Sequence, residues 1–396
     1  MIVKPKIRGF ICTTAHPTGC AQQVARQITY VKQQPAIKGP KKVLVLGAST
    51  GYGLASRIAA TFGAGADTLG VMFEKPASDK RTASAGWYNT AAFEKYAQAA
   101  GHQAYSINGD AFSDAIKEQT IALIKEKFGK VDLVIYSLAT PRRQDPKTGD
   151  VYSSTLKTLN KVYTNKTIDP ISGLLSEATI EAASEQEIAD TVKVMGGEDW
   201  QLWIEALLAA DVLAEGVKTV AYSYIGPRLT YPLYREGTIG KAKDHLEATA
   251  VAIDKHLSAL KGAAYVSVNK ALVTQSSAAI PVVPLYIALL FKVMKAKNIH
   301  EGCIEQIYRL YQDRLYQNAV KTDDKGLIRI DDWEMREDVQ EEVAKLWQQI
   351  STENISEISD IAGYREDFHR LFGFADPEID YEQETEIVVK VPSIVG

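Results

Sequence analysis

The sequence has few cysteines and no uninterrupted apolar run of membrane-spanning length. Three cysteines in 396 residues are too few for a disulfide framework, as is usual in a reducing compartment. The long uncharged stretch from Ser276 to Phe291 is shorter than the roughly 20 apolar residues that cross a bilayer, and Pro281 and Pro284 interrupt it. The N-terminus has no apolar run followed by a small-residue cleavage site. These absences predict a soluble, cytoplasmic protein with no membrane partner.

The charge balance and the apolar content exclude two further classes of protein. Lys and Arg total 45 against 49 Asp and Glu, for a net charge of −4, whereas a nucleic-acid binder normally carries a basic excess. A chain that is 46% hydrophobic is not intrinsically disordered. No Gly-, Ser- or Pro-rich linker divides the chain, which predicts one compact domain over residues 1–396.

Short apolar runs alternate with helix-length segments in the middle of the chain. This alternation predicts an α/β fold with a doubly wound parallel sheet of the Rossmann type. The predicted strands are 43–47, 68–74, 104–108, 131–139, 217–226 and 264–274, and helices are expected at 54–63, 91–101 and 114–129. The core is expected at 41–291, with an N-terminal extension at 1–40, an insertion at 140–216 that ends in a helix at 198–216, and a helical C-terminal region at 292–396.

A glycine-rich turn follows the first predicted strand and opens a helix. Its glycines are Gly47, Gly51 and Gly53, and such a turn lets the backbone approach a pyrophosphate at a helix N-terminus. The second strand ends at Glu74, where a carboxylate binds both ribose hydroxyls and repels a 2′-phosphate, which favours NADH over NADPH. The neighbouring Lys75 leaves the alternative of a phosphate site open.

Two further strand ends are expected to flank the adenine and the ribose. Asp110 and Ala111 follow the third strand, and Leu138 and Ala139 end the fourth, at the edge where a doubly wound sheet binds its ligand. Asp110 has a second interpretation, as the cap of a helix that begins near Phe112.

A tyrosine with a nearby lysine is the usual proton donor on this scaffold. The Y-x3-K spacing of short-chain dehydrogenases is absent after the fifth strand, where Tyr234 is followed by Lys241 and Lys243. On a helix these lysines point about 200° apart, so only one faces the cofactor, and the spacing does not decide which. Tyr222 and Tyr224 offer further hydroxyls in this region.

Two other clusters have plainer interpretations. Cys12, His16 and Cys20 form C-x3-H-x3-C, but they offer only three local ligands with no partner pair elsewhere, so no metal is expected and helix capping or packing is preferred. Arg142 and Arg143 are interpreted either as a phosphate-binding pair or, preferably, as a solvated loop.

The chain resembles a known family over nearly its whole length. The blocks that carry the resemblance are MIVKPKIRGFICTTAHPTGC at the start, GASTGYGLASR, GWYN, NGDAFSD, VMGGEDW, AYSYIGP, Tyr234 with GTIGKAK, LFKVMK and HEGCIEQI. They are similar to those of the FabV-type enoyl-acyl-carrier-protein reductases, also called trans-2-enoyl-CoA reductases, which are enlarged relatives of the short-chain dehydrogenases.

The resemblance implies NADH-dependent reduction of the trans-2 double bond of enoyl thioesters on acyl carrier protein or coenzyme A, the last reductive step of fatty-acid elongation, by a monomer. Its Y-x8-K pattern selects Tyr234 and Lys243 as catalytic residues, with Lys241 facing solvent, and Tyr224 as a substrate contact. It also implies that Lys243 lowers the pKa of Tyr234, and that the segment from Ala278 to Phe291 covers the acyl chain. The NAD contacts that it implies are Gly47, Ala48, Ser49, Thr50, Gly51, Tyr52, Gly53, Phe73, Glu74, Asp110, Ala111, Leu138, Ala139, Lys243, Leu272, Val273 and Thr274. The alternatives are a carbonyl reductase of the short-chain dehydrogenase type and a non-catalytic NAD-sensing module.

Overall fold

The computed structural model describes residues 1–9 and 11–394, and its strands and helices alternate through most of the chain. The strands are β1 (Ile7–Arg8), β2 (Ile11–Cys12), β3 (Lys42–Leu46), β4 (Asp67–Met72), β5 (Ala104–Asn108), β6 (Val131–Tyr136), β7 (Arg142–Gln144), β8 (Val151–Ser153), β9 (Tyr163–Ile168), β10 (Leu175–Ile180), β11 (Leu213–Ser223), β12 (Ala263–Val268) and β13 (Leu327–Arg329). The helices are α1 (Pro17–Lys32), α2 (Gly51–Ile58), α3 (Ala85–Ala99), α4 (Asp114–Lys127), α5 (Glu185–Met195), α6 (Glu198–Ala209), α7 (Thr238–Leu257), α8 (Val283–Ala296), α9 (Cys303–Arg309), α10 (Glu337–Gln349), α11 (Ile355–Ile358) and α12 (Ile361–Arg370). Two π-helical turns (Ala59–Gly63 and Leu310–Leu315) extend α2 and α9, and short 3₁₀ turns lie at Ser258–Leu260 and Ser277–Ala279.

A seven-stranded parallel sheet forms the centre of the molecule, in the order β13-β12-β11-β6-β3-β4-β5. The chain starts in the middle at β3, adds β4 and β5 on one side, and then returns to add β6 and the later strands on the other. The point where the order reverses lies between β3 and β6. In doubly wound sheets the ligand binds beyond the carboxyl ends of the strands at this point.

Helices cover both faces of the sheet, which explains why its strands are apolar without interruption. Along β3, Val43 and Val45 pack into one apolar cluster together with side chains of α1 and α2. Leu44 and Leu46 face the opposite side and pack with α6 and α7. The prediction of a doubly wound parallel sheet is confirmed, and each of the six predicted strands is present with ends that differ by a few residues.

The predicted helix at 198–216 is wrong at its C-terminal end. Helix α6 ends at Ala209, and Asp211 takes a left-handed conformation with φ 55°, which turns the chain out of the helix. Leu213 then pairs with Val131 of β6. The apolar pattern of this segment continues past the helix because β11 buries the same residue types in the sheet.

Two antiparallel hairpins, β7-β8 and β9-β10, form the first part of the insertion at 140–216. Their turns are DPKTGD and DPISG, in which the Oδ1 atoms of Asp145 and Asp169 accept hydrogen bonds from the backbone two residues on. Gly149 and Gly173 close these turns with φ near +80°. The turn chemistry was readable in the sequence, but the strands alternate too weakly in hydrophobicity to be predicted.

The C-terminal region is helical in α9, α10 and α12, as predicted, but it differs in two places. Residues 327–329 form β13, which adds the seventh strand to the sheet through parallel pairs such as Val266 with Leu327. Residues 376–394 contain turns and extended chain rather than helix. Strand β13 was not predicted because three residues are too few to show the alternating pattern of a strand. The conformation of residues 376–394 depends on contacts with residues that are distant in the sequence.

The membrane-spanning potential of the helices is low. In the part of the chain that the structure describes, no helix combines the length and the apolar character needed to cross a bilayer. The uncharged stretch from Ser276 to Phe291 forms the 3₁₀ turn at Ser277–Ala279 and the first part of α8, whose residues Val283 to Phe291 are buried within the protein.

Candidate active site

The residues predicted to bind the cofactor lie at one edge of the sheet. Because the seven strands are parallel, their carboxyl ends meet there. The segments beginning at Gly47, Phe73, Asp110, Leu138 and Leu272 follow β3, β4, β5, β6 and β12 respectively. The fold therefore brings together predicted cofactor-binding residues that are spread over more than 200 positions of the sequence.

The glycine-rich loop is built by close approaches that exclude side chains. Gly47 has φ +82°, and a Cβ there would lie 2.4 Å from the Ser137 carbonyl oxygen, while one at Gly53 would lie 1.8 Å from the Gly47 oxygen. At Gly51 the only near atom is Thr274 Cγ2, at 4.0 Å, so that side of the loop is open. The loop leads directly into α2, whose first N–H groups suit a pyrophosphate.

Glu74 lies two residues after the end of β4, and Ser49, Asn108 and Gly86 determine its position. Its Oε1 accepts a hydrogen bond of 2.6 Å from Ser49 Oγ, and its backbone is joined to the Asn108 side chain in both directions. A Cβ at Gly86, the second residue of α3, would lie only 2.1 Å from Glu74 Oε1. Gly86 thus makes room for this carboxylate, and Ser49 ties it to the glycine-rich loop. The neighbouring Phe73 ring is 78% exposed, and the arrangement fits an adenosine ribose and its base.

Asp110 shapes the loop after β5 rather than capping a helix. Its Oδ1 accepts from Phe112 N at 3.0 Å, but α4 begins at Asp114 and its cap is Ser113, whose Oγ accepts from Ile116 N. The helix-cap interpretation of Asp110 is therefore wrong. The next residue, Ala111, is fixed through its carbonyl oxygen, which accepts from Trp203 Nε1 at 3.0 Å and from Lys117 Nζ at 3.3 Å.

A small cavity brings several predicted residues together. It has a volume of about 70 Å³ and is lined by Tyr136, Leu138, Ala139, Val194, Met195, Gly196, Tyr222, Lys243 and Leu246. Val194 to Gly196 come from the VMGG block at the end of α5, so the insertion supplies one wall. The two glycines of that block lie against α7, where a Cβ at Gly197 would meet Thr249 Oγ1 at 2.2 Å.

The two candidate lysines lie on different sides of α7. The helix begins at Thr238, as the wheel argument assumed. The Lys241 side chain is 52% exposed and lies 4.0 Å from Asp244, whereas Lys243 lines the cavity with Leu138 and Ala139. Burial lowers the pKa of Lys243 to about 8, and the charge of Glu247 opposes this shift.

Tyr234 lies against the first turn of α7, because Gly240 allows a close approach. A Cβ at Gly240 would lie 2.0 Å from the Arg235 oxygen and 2.7 Å from the Tyr234 oxygen. The Tyr234 ring packs edge-on against the ring of Tyr224, with centroids 5.0 Å apart and an interplanar angle of 88°. The block GTIGKAK therefore places the backbone of Tyr234 against the first turn of α7, one turn before Lys243.

The expected effect of Lys243 on Tyr234 is not what the structure gives. Burial raises the pKa of Tyr234 above its usual value, because the phenolate loses more solvation than the phenol. The predicted lowering is thus wrong for the protein alone. At neutral pH the Tyr234 hydroxyl keeps its proton.

The other predicted hydroxyls are engaged within the protein. Tyr222 and Ser56 share a hydrogen bond of 2.6 Å between their hydroxyl oxygens, and Tyr52 donates to the Lys270 carbonyl oxygen at 2.8 Å. Tyr52 therefore joins the glycine-rich loop to the segment after β12 through its side chain. The Tyr224 hydroxyl donates to Glu334 Oε1 at 3.2 Å.

One arginine differs from its prediction, and several residues near the site have no strong signal in the sequence. Arg143 is not solvated. It is 2% exposed, and its Nη1 donates to Glu198 Oε2 and to the Lys193 carbonyl oxygen, each at 2.7 Å. Gly86 and Gly196 were not identified, although GWYN and VMGG contain them. No local signal pointed to Glu334, which lies 110 residues from the tyrosine that it binds.

The histidine of the C-x3-H-x3-C cluster caps a helix. His16 is the N-cap of α1, and its Nδ1 accepts a hydrogen bond from Gly19 N at 3.2 Å. Cys12 donates to the Thr14 carbonyl oxygen at 3.2 Å. This is the preferred interpretation of the cluster.

The chain matches three family descriptions in succession. Residues 2–79 match the NAD(P)H binding domain of trans-2-enoyl-CoA reductase, 81–316 match the trans-2-enoyl-CoA reductase catalytic region, and 322–385 match the enoyl reductase FAD binding domain. The first boundary falls between Glu74 and Gly86, which pack together at the site.

The third segment does not fit the flavin in its description. Its residues Glu378, Asp380 and Glu384 line a pocket of about 200 Å³ beside His16. These carboxylates would repel the phosphates of a flavin dinucleotide.

Curated relatives and solved structures match the chain from end to end. An enoyl-[acyl-carrier-protein] reductase [NADH] of Coxiella burnetii is 64% identical over 100% of this chain and 98% of its own, and a trans-2-enoyl-CoA reductase [NADH] of Ruminiclostridium cellulolyticum is 59% identical over 100% of both. The trans-2-enoyl-CoA reductase of Treponema denticola, solved with NAD, has a TM-score of 0.95 at 52% identity, covering 99% of this chain and 100% of that one. The Clostridium enzyme of that name, solved with NADH, has a TM-score of 0.96 at 48% identity with the same coverage. The chain therefore belongs to the trans-2-enoyl-CoA reductase family.

Proposed function

We propose that the chain reduces the trans-2 double bond of enoyl thioesters with NADH, and that Tyr234 and Lys243 carry the chemistry. It is an NADH-dependent oxidoreductase by its family. The observation that carries the assignment of roles is the placement of Lys243 at the cavity with Leu138 and Ala139, while Lys241 is exposed. The proposed pair is thus Y-x8-K rather than Y-x6-K.

NADH, when bound, supplies a hydride to the β-carbon of the enoyl group. Negative charge then develops on the thioester oxygen as the substrate becomes an enolate. A hydrogen bond preorganised at that oxygen lowers the barrier, because it strengthens as the charge grows. We assign this bond to the Tyr234 hydroxyl. Since burial raises the pKa of Tyr234, its hydroxyl is protonated at neutral pH and can pass a proton toward the α-carbon.

Lys243 is assigned to the cofactor ribose. Its pKa of about 8 leaves the ammonium mostly charged at neutral pH, and a charged donor binds a hydroxyl more strongly than a neutral one. Gly47 to Gly53 and Glu74 are assigned to the pyrophosphate and the adenosine ribose. The assignments of Ala111, Leu272, Val273 and Thr274 to the cofactor rest on the resemblance and on their place at the same edge of the sheet.

We propose that the acyl group of the substrate is attached to either acyl carrier protein or coenzyme A. The printed names of the relatives include both acyl carrier protein and coenzyme A. The covering of the acyl chain by Ala278 to Phe291 stays a prediction. Because Val283 to Phe291 are already buried in the core, the leading part of the segment, up to Ile280, is the part we propose for this role.

The test is oxidation of NADH in the presence of crotonyl-CoA by the wild-type protein and by Tyr234→Phe. The variant keeps the ring and its packing on Tyr224, so we expect kcat to fall by about 10²–10⁴-fold, as for loss of a general acid, while the Kd for NADH changes by less than about threefold. Tyr96→Phe is the control, since Tyr96 is exposed on α3. Wild-type NADH binding without turnover would favour the NAD-sensing alternative, and an active Tyr234→Phe would remove this tyrosine from its assigned role.

A further inference from the structure

A carboxyl group from the C-terminal region lies buried beneath the proposed active site. Glu334, in the loop between β13 and α10, is completely inaccessible to solvent. Its Oε1 accepts hydrogen bonds from the hydroxyls of Tyr224, at 3.2 Å, and Tyr286, at 2.7 Å. Its Oε2 accepts from the backbone N–H of Ala271 at 2.8 Å. Three donors therefore converge on one side chain.

The surroundings hold this carboxyl in place. Gln340 donates both to the Tyr286 hydroxyl oxygen and to the Glu334 carbonyl oxygen. Burial raises the pKa of Glu334, and the charge of the buried Lys270 ammonium opposes this shift. That ammonium is itself bonded to the Ala271 carbonyl oxygen at 2.9 Å. The three donors and the Lys270 charge thus offset part of the cost of burying this group.

The two oxygens of Glu334 reach different halves of the site. Through Oε1 the carboxyl fixes Tyr224, whose ring supports the ring of Tyr234 edge-on at 5.0 Å. Through Oε2 it fixes Ala271, the residue before the segment Leu272–Thr274 at the sheet edge. A shift of this side chain would therefore move the proposed proton donor relative to the cofactor side.

The direction of the bond at Tyr224 also separates the roles of the two tyrosines. The Tyr224 hydroxyl donates its hydrogen bond to Glu334 Oε1. That leaves Tyr234 as the hydroxyl with a proton to offer the substrate, and it makes Tyr224 a support for Tyr234.

We infer that Glu334 is a positioning residue of the active site, acting through Tyr224 on Tyr234. The inference rests on the proposed function. It extends the site into the region after β13.

The chain contains a closely matched carboxyl away from this site. Glu94 on α3 is also inaccessible to solvent. Its Oε1 accepts from the hydroxyls of Ser106 and Ser393, and its Oε2 from the backbone N–H of Ser393. Glu94 thus has the same set of donors as Glu334, two hydroxyls and one amide, without a link to either tyrosine.

The experiment compares Glu334→Gln with Glu94→Gln. A glutamine offers one acceptor oxygen, so it cannot serve the hydroxyls and the amide together, and both variants should lose similar amounts of thermal stability. We expect Glu334→Gln to lower kcat with crotonyl-CoA by about tenfold or more per NADH-binding site while the Kd for NADH changes by less than about threefold. Glu94→Gln should keep kcat within about twofold of the wild type.

A double-mutant cycle with Tyr224→Phe distinguishes positioning from general destabilisation, since residues that act through one another are not additive. In the Tyr224→Phe background, Glu334→Gln should lower kcat by less than about threefold. Three results would each overturn the inference: a Glu334→Gln variant with the kcat of the wild type, an equal loss of kcat in both backgrounds, or an equal loss of kcat in Glu94→Gln. In each case turnover by the wild type would still support the proposed function. A wild type inactive on crotonyl-CoA would overturn both.

Discussion

Replacing Lys243 with methionine should lower activity and increase stability at the same time. Methionine has a similar length and suits the apolar neighbours Leu138 and Leu246 in the cavity wall. Lys241→Met is the matched control two residues earlier on α7, because its side chain is mostly in solvent. The two replaced lysines differ in burial: the ammonium of Lys243 is buried, whereas that of Lys241 is mostly in solvent.

The size of the stability gain follows from the pKa of Lys243. Burial lowers it from 10.5 to about 8, and at 1.36 kcal/mol per pKa unit the charged form costs the folded protein at most about 3 kcal/mol at neutral pH. The value is an upper limit, since the side chain keeps some contact with solvent. With an unfolding entropy of about 2 cal/mol/K per residue, the midpoint of thermal unfolding should rise by about 2–4 °C.

The pH dependence has a definite sign. Between pH 8 and 10.5 the unfolded chain keeps this proton and the folded protein loses it, so the stability of the wild type rises with pH in that window. Below pH 8 both states are charged and the cost is complete. The advantage of Lys243→Met over the wild type should therefore be largest near pH 7 and vanish above pH 10.5.

The assay is differential scanning calorimetry without cofactor, combined with NADH oxidation on crotonyl-CoA. We expect Lys243→Met to lose about 10–100-fold in kcat/KM, the range for one hydrogen bond from a charged group, and Lys241→Met to resemble the wild type in both measurements. A lower unfolding midpoint in Lys243→Met would refute the argument that the ammonium is destabilising. Full activity in Lys243→Met with loss in Lys241→Met would transfer the role to the Y-x6-K partner.

Two further predictions concern Glu74. Gly86→Ala places a Cβ 2.1 Å from Glu74 Oε1, so the carboxylate must move, and the Kd for NADH measured by fluorescence should rise about tenfold. The control Gly302→Ala meets only the tip of Glu305, at 2.9 Å, and an equal Kd in the two variants would contradict the proposed ribose contact. Glu74→Ser should lower the ratio of kcat/KM for NADH to that for NADPH by about tenfold or more, since the repulsion of a 2′-phosphate is lost; an unchanged ratio would show that Glu74 does not select the cofactor.

Local patterns in the sequence were sufficient for much of the fold. Apolar runs bounded by turn residues identified six strands of the sheet, because a strand buried on both faces must be apolar throughout. They failed at two places. Strand β13 has only three residues, and the apolar residues 212–214 suit either a helix or a strand. The hairpins of the insertion escaped prediction because their strands are only partly buried.

By itself the sequence determined the type of fold, the glycine-rich loop and the carboxylate at Glu74, since each depends on residues close together along the chain. Only the tertiary structure shows Lys243 at the cavity and Lys241 in solvent, because this placement depends on which side of α7 faces the sheet edge. It likewise decided the state of the Tyr234 hydroxyl, whose pKa burial raises, and it brought Glu334 to Tyr224 across 110 residues. Burial and long-range hydrogen bonds are properties of the packed molecule, and no local spacing encodes them.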